Sequence, residues 1–324
     1  MSPKTLFITG GSGYIGTTVI QTFLAAGYTI RALSRSDDSD THLRSLGVTP
    51  VRGDLKSLNL LTQEASTASV VVNIADSIAR EFGKILPKER FRINNAAIAA
   101  LAVGMKGSGN PLILTSGSLY AKPHPQGEET DEESPGWHEG HPFSNSHELV
   151  NLKYKDDRVR VCIMRLAPYV YGRGGSGVRL FMENFAKAGR GMYVDDGSAH
   201  ITTVHVEDAA RLYLLLAETP TAEGIYNATS ETHVTHKQLA QAIAAKIGVE
   251  CDAVPYEGAK AKTGEWFATF LKSDNRAGNG KAKRLGWEVK AEKGILEDIQ
   301  EGSYGEVAEE LRKGMGKEAE ERGA

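Results

Sequence analysis

The segment Thr9-Gly10-Gly11-Ser12-Gly13-Tyr14-Ile15-Gly16 constrains this chain more than any other. It follows the apolar run Leu6-Phe7-Ile8-Thr9, which reads as a buried strand, and it opens an amphipathic stretch from Tyr14 to Ala26 that Gly27 ends. Glycines at 10, 13 and 16 allow a tight turn, close approach of a diphosphate, and close packing of helix on sheet. The helix start then offers free N–H groups and the positive end of its dipole. Strand, glycine turn and helix in that order specify a dinucleotide-binding unit, with Gly10, Gly13, Tyr14, Ile15 and Gly16 against the cofactor.

The pattern repeats. Strands are expected at Tyr28–Leu33, Val70–Ile74, Pro111–Thr115 and Arg160–Leu166, with an Ala-rich helix from Asn94 to Val103. Continuous apolar strands separated by helices mean a parallel sheet covered on both faces. The expected fold is α/β: a Rossmann-type doubly wound parallel sheet with a smaller C-terminal substrate lobe. Residues 1–170 are assigned to the dinucleotide-binding lobe, with 202–222 returning to it. Residues 171–201 and 223–310 are assigned to the substrate lobe, and 311–324 to a solvated tail. Between Ala121 and Pro142 the periodicity fails, around the acidic run Glu128-Glu129-Thr130-Asp131-Glu132-Glu133. A solvated loop and a substrate-facing loop both fit that composition.

The end of the second strand bears on the adenosine ribose. A free 2′-hydroxyl wants an acidic residue there, but the strand ends Leu33-Ser34-Arg35-Ser36, with no carboxylate before Asp37. A guanidinium flanked by hydroxyls suits a 2′-phosphate, because Arg makes two-pronged, charge-assisted bonds to phosphate oxygens. Arg35 therefore predicts NADP(H).

Composition narrows the partners. With 38 Lys and Arg against 41 Asp and Glu, the 324-residue chain has a net charge of −3, no footprint for nucleic acid or anionic lipid. No apolar run is long enough to span a bilayer, and no signal peptide is expected. Cys162 and Cys251 are the two cysteines, which points away from a disulfide framework and toward a reduced, cytoplasmic setting. The histidine spacings match no zinc pattern, so no metal is expected. The partner expected is a small-molecule substrate, and a homodimer is compatible with it.

Several motifs in register carry a family resemblance. Beyond the glycine turn come Gly53-Asp54-Leu55, Val72-Asn73-Ile74-Ala75, Asn94, and Thr115-Ser116-Gly117-Ser118-Leu119-Tyr120. Arg165 through Pro168 to Tyr171-Gly172, Val204-His205-Val206-Glu207-Asp208-Ala209-Ala210, and Leu285-Gly286-Trp287 complete them. In this the chain resembles the NAD-dependent epimerase/dehydratase group of extended short-chain dehydrogenases/reductases, from about residue 4 to 290. The resemblance implies cofactor contacts from Asp54, Leu55, Ala75, Asn94 and Pro168, and an active-site hydroxyl at Ser116.

One family motif is missing, the Tyr-x-x-x-Lys pair that moves the proton at the substrate oxygen. Aligning Pro142 and Ser146 puts Phe143 at the tyrosine position and His147 at the lysine position. Phe has no proton to give, and His carries less charge than Lys at neutral pH. Tyr120 and His141 then stand beside Ser116 as substitute donors. Three functions stay open: an NADP(H)-dependent oxidoreductase of a small carbonyl or alcohol, a non-redox isomerase or lyase on the same scaffold, and a nucleotide-sensing binding protein without catalysis.

Overall fold

Apolar runs too short for buried helices pair side by side in the computed structural model, which describes residues 4–77, 87–138, 140–144 and 147–323. The first half alternates β1 (Thr5–Thr9), α1 (Tyr14–Ala25), β2 (Thr29–Ser34), α2 (Asp37–Ser45), β3 (Thr49–Arg52), α3 (Leu58–Thr67) and β4 (Val70–Asn73). Then follow α4 (Pro87–Met105), β5 (Pro111–Gly117), α5 (His147–Asn151), β6 (Arg160–Leu166), β7 (Tyr169–Tyr171), α6 (Ser176–Ala188) and β8 (Arg190–Val194). The remainder is β9 (His200–His205), α7 (Val206–Glu218), β10 (Gly224–Ala228), β11 (Glu231–Thr235), α8 (His236–Ile247) and β12 (Glu250–Val254). It ends with α9 (Tyr256–Thr263), α10 (Glu265–Phe270), α11 (Gly280–Arg284), α12 (Ile295–Glu301) and α13 (Gly305–Gly323).

Seven parallel strands form the main sheet in the order β10-β6-β5-β4-β1-β2-β3. Helices cover both faces, as strands apolar on both sides require. Val19, Ile20 and Phe23 of α1 pack with Leu212, Tyr213 and Leu216 of α7 on one face. Leu61 and Ala65 of α3 pack with Ile93 and Leu101 of α4 on the other. The sheet reverses its winding between β1 and β4, and the crevice beyond those two strand ends is where ligands bind in such sheets. A second core joins Phe181 and Phe185 of α6 to Ile243 and Ile247 of α8, with Ile299 and Tyr304. Small sheets β11-β9-β7 and β12-β8 border it. No described helix is long and apolar enough to cross a membrane. Cys162 and Cys251 are free thiols.

Two expectations are corrected. Gly224–Ala228, placed by sequence in the smaller lobe, pairs with β6 as the seventh strand of the main sheet. Ala282 and Trp287 likewise join the core under α7. A run as short and mixed as Gly-Ile-Tyr-Asn-Ala carries no strand signal until β6 offers an edge. The tail from residue 311 is not simply solvated, because Leu311 and Met315 pack on the second core behind buried Tyr304 and Ala308. That 304, 308, 311, 315 spacing is one helical stripe. The acidic loop, for which the sequence leaves a solvated and a substrate-facing reading both open, is exposed over residues 125–129 and pinned at three points. Glu132 is buried and accepts the Asn227 N–H at 2.9 Å, Thr130 exchanges backbone bonds with Arg276 and Gly278, and Trp137 Nε1 donates to the Leu119 carbonyl at 2.9 Å.

Candidate cofactor and active site

Close approach is built in at the β1 turn. Gly10 has φ +77°, and a Cβ there would lie 2.8 Å from the Ala75 nitrogen. Ala75 is held in place by β1 itself. The Thr9 hydroxyl donates to Asn73 Oδ1 at 2.7 Å and accepts the Ala75 N–H at 3.3 Å. A Cβ on Gly16 would sit 2.1 Å from the Gly10 carbonyl oxygen, so only glycine lets α1 start that near the turn. Gly13 caps α1 without a side-chain bond, leaving the helix's first N–H groups for a ligand.

Those features open onto a cavity of about 580 Å³ lined by Gly10, Gly13, Tyr14, Ile15, Gly16, Arg35, Asp54, Leu55 and Ala75, all singled out from the sequence. Ser12, Ser36, Ser39 and Lys56 line it too, as do Asp76, Ser77 and Ser176, which sequence reasoning missed. Arg35 is exposed. Of the carboxylates that open α2, Asp37 and Asp40 pair with Arg52, and none of Asp37, Asp38 and Asp40 lines the cavity. Ser36 Oγ donates to Ser39 Oγ at 3.0 Å and accepts the Ser39 N–H, capping α2. Asp54 Oδ1 accepts both the Lys56 N–H and the Ser57 hydroxyl, which turns Lys56 and Leu55 around the cavity edge. The volume, the glycine approach and the uncapped helix start fit a dinucleotide.

A second cavity of about 350 Å³ adjoins it, sharing Ile74 and Asp76. Thr115, Ser116, Asn94, Asn95, Arg90, Glu148 and Asn151 line it. Asn94 Oδ1 accepts the Ser77 N–H at 3.1 Å, so Asn94 fixes the chain leaving β4. Asp76 takes a two-pronged pair from Arg90. Pro168 lies between β6 and β7 and lines neither cavity.

The expected Phe143–His147 pair lies only partly within the described residues. α5 is described from His147, and Phe143 occupies the turn ahead of it, so the two do not stand one helical turn apart on that helix. The Phe143 ring is buried and lies edge-on to His141 and Trp266. The His147 side chain lies outside the described residues. Among the described side chains of α5, Glu148 and Asn151 line the Ser116 cavity. Glu148 is buried and receives two-pronged bonds from buried Arg165, at 2.7 and 3.1 Å. Its signal was in the sequence as a lone carboxylate among apolar neighbours on a short helix, opposite the Arg165 already noted.

The two substitute donors sit differently. Tyr120 lies with its ring against Arg165, whose guanidinium carbon is 4.7 Å from the centroid, and burial raises its pKa, so the phenol is protonated at neutral pH. His141 stacks on Trp137 at 3.7 Å, and its Nδ1 accepts the Phe143 N–H at 3.2 Å. Burial lowers its pKa, helped by His138 and Lys122. A neutral ring with Nδ1 already accepting is a weak acid, and neither His141 nor Tyr120 lines either cavity.

Known proteins share this architecture. An uncharacterised protein of Saccharomyces cerevisiae is 30% identical over 300 residues, covering 91% of this chain and 97% of its own. The crystal structure of human epimerase family protein SDR39U1 with NADPH superposes with a TM-score of 0.68 at 20% identity, over 94% of this chain and 99% of that one. UDP-glucose 4-epimerase of Thermus thermophilus, in complex with NAD, gives 0.70 at 20% identity, over 95% and 99%. The family model for the NAD dependent epimerase/dehydratase family matches residues 6–229. By that match and the shared fold, the chain belongs to the NAD-dependent epimerase/dehydratase family of extended short-chain dehydrogenases/reductases, which bind nicotinamide dinucleotides.

Proposed function

We propose that the protein is an NADP(H)-dependent oxidoreductase acting on a small carbonyl or alcohol. The observation that carries the cofactor choice is the end of the first cavity. Arg35, Lys56, Ser12, Ser36 and Ser39 line it, while Asp37 and Asp40 pair with Arg52. Two cations and three hydroxyls suit the charge of a 2′-phosphate, and a ribose diol would find no carboxylate from the β2 end or the start of α2 in the cavity. Gly10, Gly13 and the α1 start hold the diphosphate by backbone N–H groups.

The bound nicotinamide supplies or takes the hydride at the substrate carbon. The chain's own part is to orient the substrate oxygen and deliver its proton. Ser116 bonds that oxygen and polarises it, and the proton comes through the Ser116 or Tyr120 hydroxyl, each protonated at neutral pH. Arg165 pairs with Glu148, which lines the Ser116 cavity, and packs on the Tyr120 ring, so it holds both α5 and Tyr120 in place.

A second reading has its own support. Among the described side chains of α5, Glu148 and Asn151 line the Ser116 cavity, and the α5 sequence holds neither tyrosine nor lysine. That favours a non-redox isomerase or lyase that keeps the nucleotide as scaffold. Fluorescence titration with NADPH and NADH, followed by NADPH consumption against a panel of carbonyls, separates the two. Tighter NADPH binding with turnover is expected. Equal affinity for both nucleotides overturns the NADP(H) assignment, and tight binding without consumption of NADPH moves the reading to the non-redox enzyme.

A further inference from the structure

The turn from Gly172 to Ser176 joins β7 to α6 through backbone that side-chain-bearing residues rarely adopt. Arg173 has φ +53° and Ser176 φ +69°. Gly172 has φ +108°, and a Cβ there would lie 2.2 Å from His205 Nε2. Such conformations persist only where their surroundings over-determine them. Here the Tyr14 hydroxyl donates to the Gly172 carbonyl at 2.8 Å. The Tyr304 hydroxyl accepts the Gly172 N–H and donates to the Gly175 carbonyl, both at 3.0 Å. Ser303 Oγ accepts the Gly174 N–H at 2.9 Å. Tyr14 belongs to the glycine loop, so turn and loop are tied directly.

The turn ends inside the cofactor cavity. Ser176 lines it, and every other lining residue comes from positions 10–93. Gly175 lies so near the Tyr14 ring that a Cβ would be 2.5 Å from it, so the turn packs on the first residue of α1 and Ser176 shares the cavity with Gly10, Gly13 and Gly16. The Ser176 hydroxyl has no hydrogen-bond partner among the described residues. A strained residue with an unused hydroxyl in a ligand cavity is held there for the ligand rather than for the fold.

We propose that Ser176 is a cofactor-binding residue that bonds the nicotinamide-side phosphate of the diphosphate from the smaller lobe, with Tyr14 as the positioning residue that holds its turn. This rests on the dinucleotide reading of the cavity. Calorimetric titration of the full chain with NADPH and with adenosine 2′,5′-bisphosphate, which carries a single 5′-phosphate, tests it alongside melting temperatures. Ser176→Gly relieves the left-handed strain and is expected to melt above the parent while binding NADPH about tenfold more weakly, the loss of one charge-assisted bond. Ser176→Ala weakens NADPH similarly, and the bisphosphate stays within about twofold for both variants. Tyr14→Phe weakens NADPH in the parent background and has no further effect on Ser176→Gly, because it acts through Ser176. Unchanged NADPH affinity in both Ser176 variants, or an equal loss for the bisphosphate, overturns the inference and leaves the cofactor reading standing. A parent protein that binds neither NADPH nor NADH overturns both.

Discussion

Arg35 and His236 show how differently single side chains act in this molecule. Arg35 is exposed, so in the proposed function its role is in binding the nucleotide and not in holding the fold. Arg35→Ala is expected to weaken NADPH by about tenfold or more, the scale of a charged hydrogen bond, with NADH affinity and melting temperature unchanged. A parallel loss for NADH would place Arg35 elsewhere. His236 is buried, faces the Ser273 carbonyl with Nε2 at 3.0 Å, and contacts the Tyr169 hydroxyl. Burial pushes its pKa down to about 4, against the Ser273 carbonyl and Asp274, which raise it. The unfolded imidazole ionises near 6.5, so the unfolded state takes up the proton first as pH falls. The neutral ring's contribution is complete above pH 6.5 and drains away toward pH 4. Its share of the loss by pH 5 is about 2 kcal/mol. Urea unfolding at pH 7 and pH 5 should show the parent losing that much more than His236→Gln. Equal losses would mean the ring ionises normally when folded.

α5 is the element that most depends on one pair. It is described over five residues, too short to hold itself. Glu148 ties it to Arg165 of β6, and both side chains are only 2% exposed. Removing one partner of such a pair leaves a buried charge and costs about 3–5 kcal/mol, whereas an apolar pair of similar volume is often tolerated. Glu148→Ala should therefore lose most of that in urea unfolding, while Glu148→Leu with Arg165→Met recovers stability. If the double variant also regains NADPH consumption, the pair serves only to position α5. A single variant as stable as the parent would show the pair to be dispensable. The aromatic turn ahead of α5, with Phe143 between His141 and Trp266, is a packing unit.

At the scale of the molecule, the two lobes share strands and helices rather than a linker. β10 completes the sheet beside β6, and α7 covers the face that α1 begins to cover. Residues 1–170 therefore lack the partner edge of β6 and the Val206–Leu216 side of their own core. Expressed alone, that fragment is expected to aggregate or to unfold without a cooperative transition. A soluble fragment with a sharp urea midpoint would show that the first lobe folds independently.

The sequence alone determined the cofactor end of this protein, because that end is local. Gly10, Gly13 and Gly16 act on their own turn, the apolar strands announce a parallel sheet, and Arg35 sits one residue past β2. Each of these signals is complete within a dozen residues. The catalytic end was legible only as a gap. Phe143 and His147 were matched by flanking residues across an irregular loop, where no period fixes register, and the structure puts Phe143 in a turn and Glu148 with Asn151 at the cavity. Glu148 with Arg165, β10 with β6, and Gly175 against Tyr14 are contacts between segments far apart in the chain. Only tertiary structure decides them, because each becomes favourable when burial removes water from both partners at once.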